Sequence, residues 1–210
     1  MQYSVLTYIA VFLCVAAASY LFGCCNGAII TSSLFLRDDV RVHGSHNAGL
    51  TNFYRSYGGK YAIFVILVDM LKAFLAVNIS ALVLGDFLGL GLIGRYYAAL
   101  FCVTGHMFPA FYSFKGGKGI LCSGTLLLLL DWRIALVGWG IFLLLWLVTK
   151  YVSLGSVTAA VSLPISTFLC YRSVWPTVLA LLLSALVIYA HRENISRLLH
   201  GTENKFQWKK

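Results

Sequence analysis

The sequence predicts an all-α integral membrane protein of about seven transmembrane helices, with its N-terminus outside and its C-terminus in the cytoplasm. Three observations carry that expectation. Of 210 residues, 60% are hydrophobic and only 11% charged, against about 25% charged in soluble chains, so the bilayer is the solvent. The apolar residues fall in runs at 4–30, 61–84, 91–111, 117–130, 132–149, 152–171 and 174–190, most of them near the ~20 residues that cross ~30 Å of hydrocarbon. The cations are lopsided: of the 16 Lys and Arg, twelve lie in loops on one side, only Arg95, Arg133 and Arg172 on the other, and Lys72 lies inside a span. Positively charged loops stay in the cytoplasm, and that sets the orientation.

No polar stretch is long enough for a separate soluble domain, the longest running from about 31 to 60, so residues 1–210 read as a single transmembrane domain. The net charge of +9 could suggest nucleic acid. The charges sit in short loops between apolar runs, however, so membrane topology accounts for them and no nucleic-acid partner is expected. The six cysteines have no metal-ligand spacing and read as buried, reduced thiols. No metal or cofactor motif stands out. Gly89 to Gly94 match G-x-G-x-x-G, but nothing around them reads as a strand–helix unit.

Taken in order, the first run has no Lys or Arg before it, so no signal peptide is expected, although Cys24 after Leu-Phe-Gly faintly matches a lipoprotein cleavage site. In the second, Asp69 and Lys72 stand at i, i+3, where ionisable residues in a membrane are costly; a mutual structural pair is the expectation. The fourth is short. Gly116 to Leu130 is 15 residues, or ~22 Å of helix, so its Lys-Gly end should dip below the membrane surface. In the sixth, Ser153, Gly155, Ser156, Ala159 and Ala160 suit close helix packing, and Ser153 could also face a cytoplasmic pocket.

Three polar segments reach the cytoplasmic side under this topology. The central one is Gly105 to Ile120, GHMFPAFYSFKGGKGI. Gly116, Gly117 and Gly119 could turn successive N–H groups toward an anion, and the following helix start, Lys115 and Lys118 add positive charge. Lys118 is followed by Gly119 rather than Ser or Thr, so this is not a Walker loop. An ordinary turn carrying positive-inside lysines explains KGGKG equally well. The first segment, Gly44 to Asn52 with Arg55 beyond, is dense in hydroxyls and amides that bind either ligands or their own backbone. In the last, His191 and Asn194 share a helix face and Glu193 can pair with Arg197; a solvated helix end is the simpler account.

Together the three segments resemble the bacterial integral-membrane acyl-phosphate:glycerol-3-phosphate acyltransferases of the PlsY type. The first motif of that family is matched by Gly44, Ser45, Asn47, Gly49, Thr51, Asn52 and Arg55. The second is matched by Gly105, His106, Pro109, Phe111, Phe114, Lys115, Gly116, Gly117, Lys118 and Gly119, and the third by His191, Asn194, Ile195, Arg197, Leu198, Gly201, Glu203 and Lys205. Ser153, Leu154 and Ser156 match a further Ser-Leu-x-Ser element. His46 stands where the family usually has Gly, Leu50 where it has Ala, and Ala73 where Lys-Gly is usual.

The resemblance implies transfer of a fatty acyl group from acyl phosphate to the 1-hydroxyl of glycerol 3-phosphate, giving lysophosphatidate and phosphate. It implies no cofactor, a monomer, and a multi-pass protein of the bacterial inner membrane with its active site facing the cytoplasm. Ser45, Arg55, Lys115 and Asn194 would hold glycerol 3-phosphate. Lys118, the backbone of Gly116–Gly119 and Ser153 would meet the acyl-phosphate head, with Asn47, Gly49, Thr51, Asn52, His106, Arg197 and Glu203 completing the site. His106, His191 or the substrate phosphate could take the hydroxyl proton. A transporter of phosphorylated metabolites is the alternative from another class; against it, the polar groups gather at one membrane face and no inverted repeat is visible.

Overall fold

The computed structural model describes residues 3–206, so Lys209 and Lys210, counted in the charge asymmetry, lie outside the described residues. Among the described residues the regular elements are all helices: α1 (Val5–Cys24), α2 (Gly27–Leu36), α3 (Leu50–Tyr57), α4 (Ala62–Leu88), α5 (Gly91–Met107), α6 (Ile120–Leu130), α7 (Trp132–Thr149), α8 (Val152–Tyr171), α9 (Val174–Ala190) and α10 (Arg192–Leu199). Short 3₁₀ turns at Val40–Val42 and Ala110–Tyr112 lie in the polar segments. Helices α1, α4, α7 and α8 are each long and apolar enough to cross a membrane, and α9 with α10, bent by 60° between them, would make a fifth.

The first apolar run, expected to be one span over 4–30, is two helices. Asn26 breaks it, because its side-chain oxygen accepts the Ile29 N–H at 3.1 Å and so caps α2 while ending α1. Gly27 completes the break, since a Cβ there would lie 2.6 Å from the Val65 carbonyl oxygen of α4. The short fourth run is shorter still: residues 116–119 are not helical and α6 has 11 residues, ~16 Å of rise.

Small residues bring the helices together. Gly23 of α1 and Gly105 of α5 face each other so closely that a Cβ on either would overlap the opposite backbone. Ala73, Ala76 and Val77 of α4 join Ala98, Ala99 and Cys102 of α5, Cys122 and Leu126 of α6, and Ala180 and Leu183 of α9 in one buried core. Outward faces are apolar, as at Leu144, Val148 and Leu169, which suits contact with lipid. The cysteines only partly follow expectation: all six are free, but Cys14 and Cys25 are exposed and Cys170 is half-buried.

Candidate active site

The first polar segment is folded against itself by Asn52. Its Oδ1 accepts the Ser45 N–H at 2.9 Å, and its Nδ2 donates to the carbonyls of Val40 at 3.1 Å and His43 at 3.0 Å. This amide is spent on shaping the loop. At its turn His46 adopts a left-handed φ of 57°, a conformation glycine takes at lower cost, and its Nδ1 lies 3.0 Å from the Arg41 carbonyl. The loop is tied to the α1–α2 break, where Asn26 Nδ2 donates to the Ala48 carbonyl at 3.1 Å. Ala48 N–H in turn reaches the Gly116 carbonyl at 3.4 Å, so the first and second segments meet.

The Lys-Gly loop differs from an open N–H cradle. Gly116 N–H donates to the Met107 carbonyl and Gly117 N–H to the His106 carbonyl, both at 3.1 Å, so these two donors are already used. The glycines are needed for close approach: a Cβ on Gly117 would overlap both the Ala48 carbonyl and the His106 imidazole. Gly119 does need glycine's freedom, with φ 73° at the entrance to α6. Arg41 holds the loop from outside, donating from Nη1 to the Tyr112 carbonyl at 2.8 Å and the Lys115 carbonyl at 3.2 Å.

The third segment turns inward because α10 bends away from α9 at the buried His191. Beyond α10 the chain returns so that Glu203 meets three donors: Ser153 Oγ at 2.9 Å, Asn194 Nδ2 at 2.7 Å and Arg197 Nε at 2.8 Å. Asn194 Oδ1 accepts the Lys118 ammonium, linking this cluster to the Lys-Gly loop. Burial pushes the Glu203 carboxyl up, but the hydrogen bonds from Asn194, Arg197 and Ser153 outweigh it and hold its pKa below the ordinary carboxylate value.

A single cavity of about 580 Å³ joins these parts. Its polar end is lined by Ser45, Asn47, Gly49, Thr51, Asn52, Arg55, His106, Lys118, Gly119, Ser153, His191, Asn194, Arg197 and Glu203. Lys115, Gly116 and Gly117, grouped with them on sequence grounds, are not among its lining residues. Lys115 is exposed on the outer side of the loop. From the polar end the cavity continues between apolar side chains of α6–α9, including Leu127, Gly138, Phe142 and Leu163. Concave, mostly apolar space with convergent polar groups at one end fits an amphiphile with an anionic head.

Further contributors surround the site; the sequence marked Asp69 and Lys72 only as a structural pair, and Ser123 not at all. Asp69 and Lys72 form an ion pair at 2.7 Å, but the pair also reaches His106 of α5. Ser123 on α6 lines the cavity with a buried Oγ that has no hydrogen-bond partner among the described residues. Arg41 gave no signal beyond its charge. Only the i, i+3 spacing of Asp69 and Lys72 was available in advance.

Fold and site together define a multi-pass, all-helical membrane protein with an anion-suited mouth on an apolar cavity. Residues 13–201 match the family model described as glycerol-3-phosphate acyltransferase. A glycerol-3-phosphate acyltransferase of Fusobacterium nucleatum subsp. nucleatum is 40% identical over 200 residues, covering 94% of this chain and 99% of that protein. The crystal structure of PlsY (YgiH), an integral membrane glycerol 3-phosphate acyltransferase, in its glycerol 3-phosphate form superposes with a TM-score of 0.82 at 34% identity, over 93% of this chain and 96% of that one. Its lysophosphatidic acid form gives 0.80 at 33% identity, over 93% and 95%. The chain belongs to the glycerol-3-phosphate acyltransferase family.

Proposed function

We propose that this protein transfers a fatty acyl group from acyl phosphate to the 1-hydroxyl of glycerol 3-phosphate, yielding 1-acylglycerol 3-phosphate and phosphate. The observation that carries this reading is the continuity of one cavity from the Lys118–Asn194–Glu203 cluster into the apolar space between α6 and α9. One end suits two phosphates and the other an acyl tail. Ser45, Arg55 and Asn194, which line the cavity, hold glycerol 3-phosphate, while Lys118 and Ser153 meet the acyl-phosphate head. The hydroxyl oxygen bonds to the acyl carbon as its proton passes to a phosphate oxygen or to His191, the bond from that carbon to the phosphate oxygen breaks, and the electron pair leaves with the phosphate. An acyl phosphate is already activated, so positioning two anions and offsetting their repulsion is most of the work.

We further propose seven spans, formed by α1, α4, α5, α6, α7, α8 and α9, with the N-terminus outside and the three polar segments at the cytoplasmic face of the bacterial inner membrane. The working unit is a monomer without a cofactor. Purified protein in lipid vesicles, given palmitoyl phosphate and glycerol 3-phosphate, should release phosphate only when both are present. Acyl-CoA or acyl-carrier protein as donor should release no product. Turnover with either of those, and none with acyl phosphate, would overturn the donor assignment.

A further inference from the structure

Two histidines line the cavity, and each has its Nδ1 engaged by a partner of opposite hydrogen-bonding character. His106 is 2% exposed, and the ion pair behind it, Asp69 and Lys72, is 1% and 3% exposed. Lys72 Nζ lies 2.7 Å from Asp69 Oδ1 and 2.7 Å from His106 Nδ1, and the carbonyls of Cys25 at 3.1 Å and Gly23 at 3.3 Å share its remaining N–H. An ammonium has three donors and no acceptor. The Nδ1 that faces it therefore brings a lone pair, and the ring proton sits on Nε2. Asp69 does not compete for a proton on Nδ1, because Oδ1 is 3.6 Å away, beyond hydrogen-bond reach. His191 is the reverse case. Its Nδ1 lies 2.8 Å from the Val187 carbonyl, which can only accept, so Nδ1 carries the proton and Nε2 keeps the lone pair.

We propose that Lys72, fixed by Asp69, and the Val187 carbonyl hold the two histidines in opposite neutral tautomers, so that His106 presents an N–H and His191 a lone pair to the substrate. Resting on the acyl-transfer reading above, this makes His106 a hydrogen-bond donor to a phosphate or carbonyl oxygen and removes it from the candidates for the hydroxyl proton. The Nε2 edge of His106 lies against Gly117, next to Lys118, so its N–H and the Lys118 ammonium serve the same anionic region. Protonating His106 on Nδ1 would set two cations 2.7 Å apart in a buried site, which is strongly disfavoured. Asp69 and Lys72 act through the ring and are positioning residues. Asp69 extends the effect to the first polar segment, because its Oδ1 also accepts the Gly27 N–H at 3.1 Å beside the Asn26–Ala48 bond.

The deciding experiment is nitrogen-15 NMR of histidine-labelled protein in lipid vesicles at neutral pH, with His106→Gln and His191→Gln used to assign the two rings. The spectrum needs no substrate, so it stands or falls separately from the identity of the acyl donor. A neutral His106 protonated on Nε2 and a neutral His191 protonated on Nδ1 are expected. Lys72→Met should convert the His106 signal to a mixture, while leaving that of His191 unchanged. An Nδ1-protonated or doubly protonated His106 in the unmodified protein would overturn the proposal, as would the same tautomer on both rings. Turnover gives a second readout. Gln places its amide N–H near the position of Nε2, so His106→Gln should lose less than about tenfold in kcat, whereas removing a general base costs ~10²–10⁴-fold. A loss of that larger size with KM unchanged would also overturn it.

Discussion

Asn194 donates from Nδ2 to Glu203 Oε1 at 2.7 Å while its Oδ1 takes the Lys118 ammonium, so one amide separates the buried cation from the carboxylate. Neither charge can move without disturbing the other. Asn194→Ala removes both bonds, and a hydrogen bond to a charged group is worth about 1.5–3 kcal/mol. A fall in kcat/KM of roughly 10- to 150-fold is expected, read from phosphate release with acyl phosphate and glycerol 3-phosphate. Unchanged kinetics would mean that the Lys118 contact plays no part in turnover.

The Glu203 carboxyl sets an acid limit on stability. Its pKa is held below its ordinary value of 4.5, so its contribution is present above that value and is lost as pH falls through the folded-state pKa. Melting temperature should therefore drop on acidification below about pH 4.5. Glu203→Gln should flatten that part of the curve, and a variant with the same acid profile as the unmodified protein would contradict the assignment.

Two glycines should separate contact from flexibility. Gly117→Ala pushes a methyl into the Ala48 carbonyl and the His106 ring, and overpacking of this kind costs ~1–3 kcal/mol. Gly140 on α7 has nothing within 4 Å of the same added carbon, so Gly140→Ala should be neutral or raise stability by about 0.4–1 kcal/mol. Thermal melts of the two proteins in one detergent make the comparison.

Ser123 should separate activity from stability. Its buried Oγ lacks a partner among the described residues, so Ser123→Ala relieves an unsatisfied group and should not lower the melting temperature. If that hydroxyl meets the acyl donor, KM for acyl phosphate rises while KM for glycerol 3-phosphate stays put. Equal effects on both, measured by varying each substrate in turn, would remove Ser123 from the donor side.

Gly138 should act as a ruler for the acyl tail. It lines the apolar part of the cavity, 2.6 Å from Leu127 Cδ1 if given a Cβ. Gly138→Val narrows that space, and long-chain donors should lose about tenfold against short-chain ones, since a methylene in a tight pocket is worth ~1–3 kcal/mol. Competition between donors of two chain lengths reads the ratio directly.

Much of this was legible in advance because membrane helices announce themselves by apolar length. Each run named from the sequence contains helix, and the boundaries of α7, α8 and α9 fall at the expected residues. The break at Asn26 was missed because apolarity continues across it; the cap depends on one amide that a run of hydrophobic residues hides. The polar segments could be picked out by composition, but not the duties of their atoms. Asn52 binds its own loop, and the Gly116 and Gly117 N–H groups bind carbonyls, because those partners are fixed by how the segments cross. His106 behind Lys72 is a contact across 34 residues that no local pattern encodes.

The return of the chain after α10 makes the site depend on residues outside the helical bundle. Phe206 N–H binds the Lys150 carbonyl at 2.9 Å, and its ring lies 6.0 Å from that of Tyr54 and 5.7 Å from that of Trp146. Glu203, a few residues earlier, gathers Ser153, Asn194 and Arg197. The other polar residues named at the mouth, from Ser45 to Arg197, all precede it in the chain. A chain cut at residue 202 would keep the residues of α1 to α10 but lose the carboxylate that Ser153, Asn194 and Arg197 share, so the mouth would keep its cations without the acid set among them.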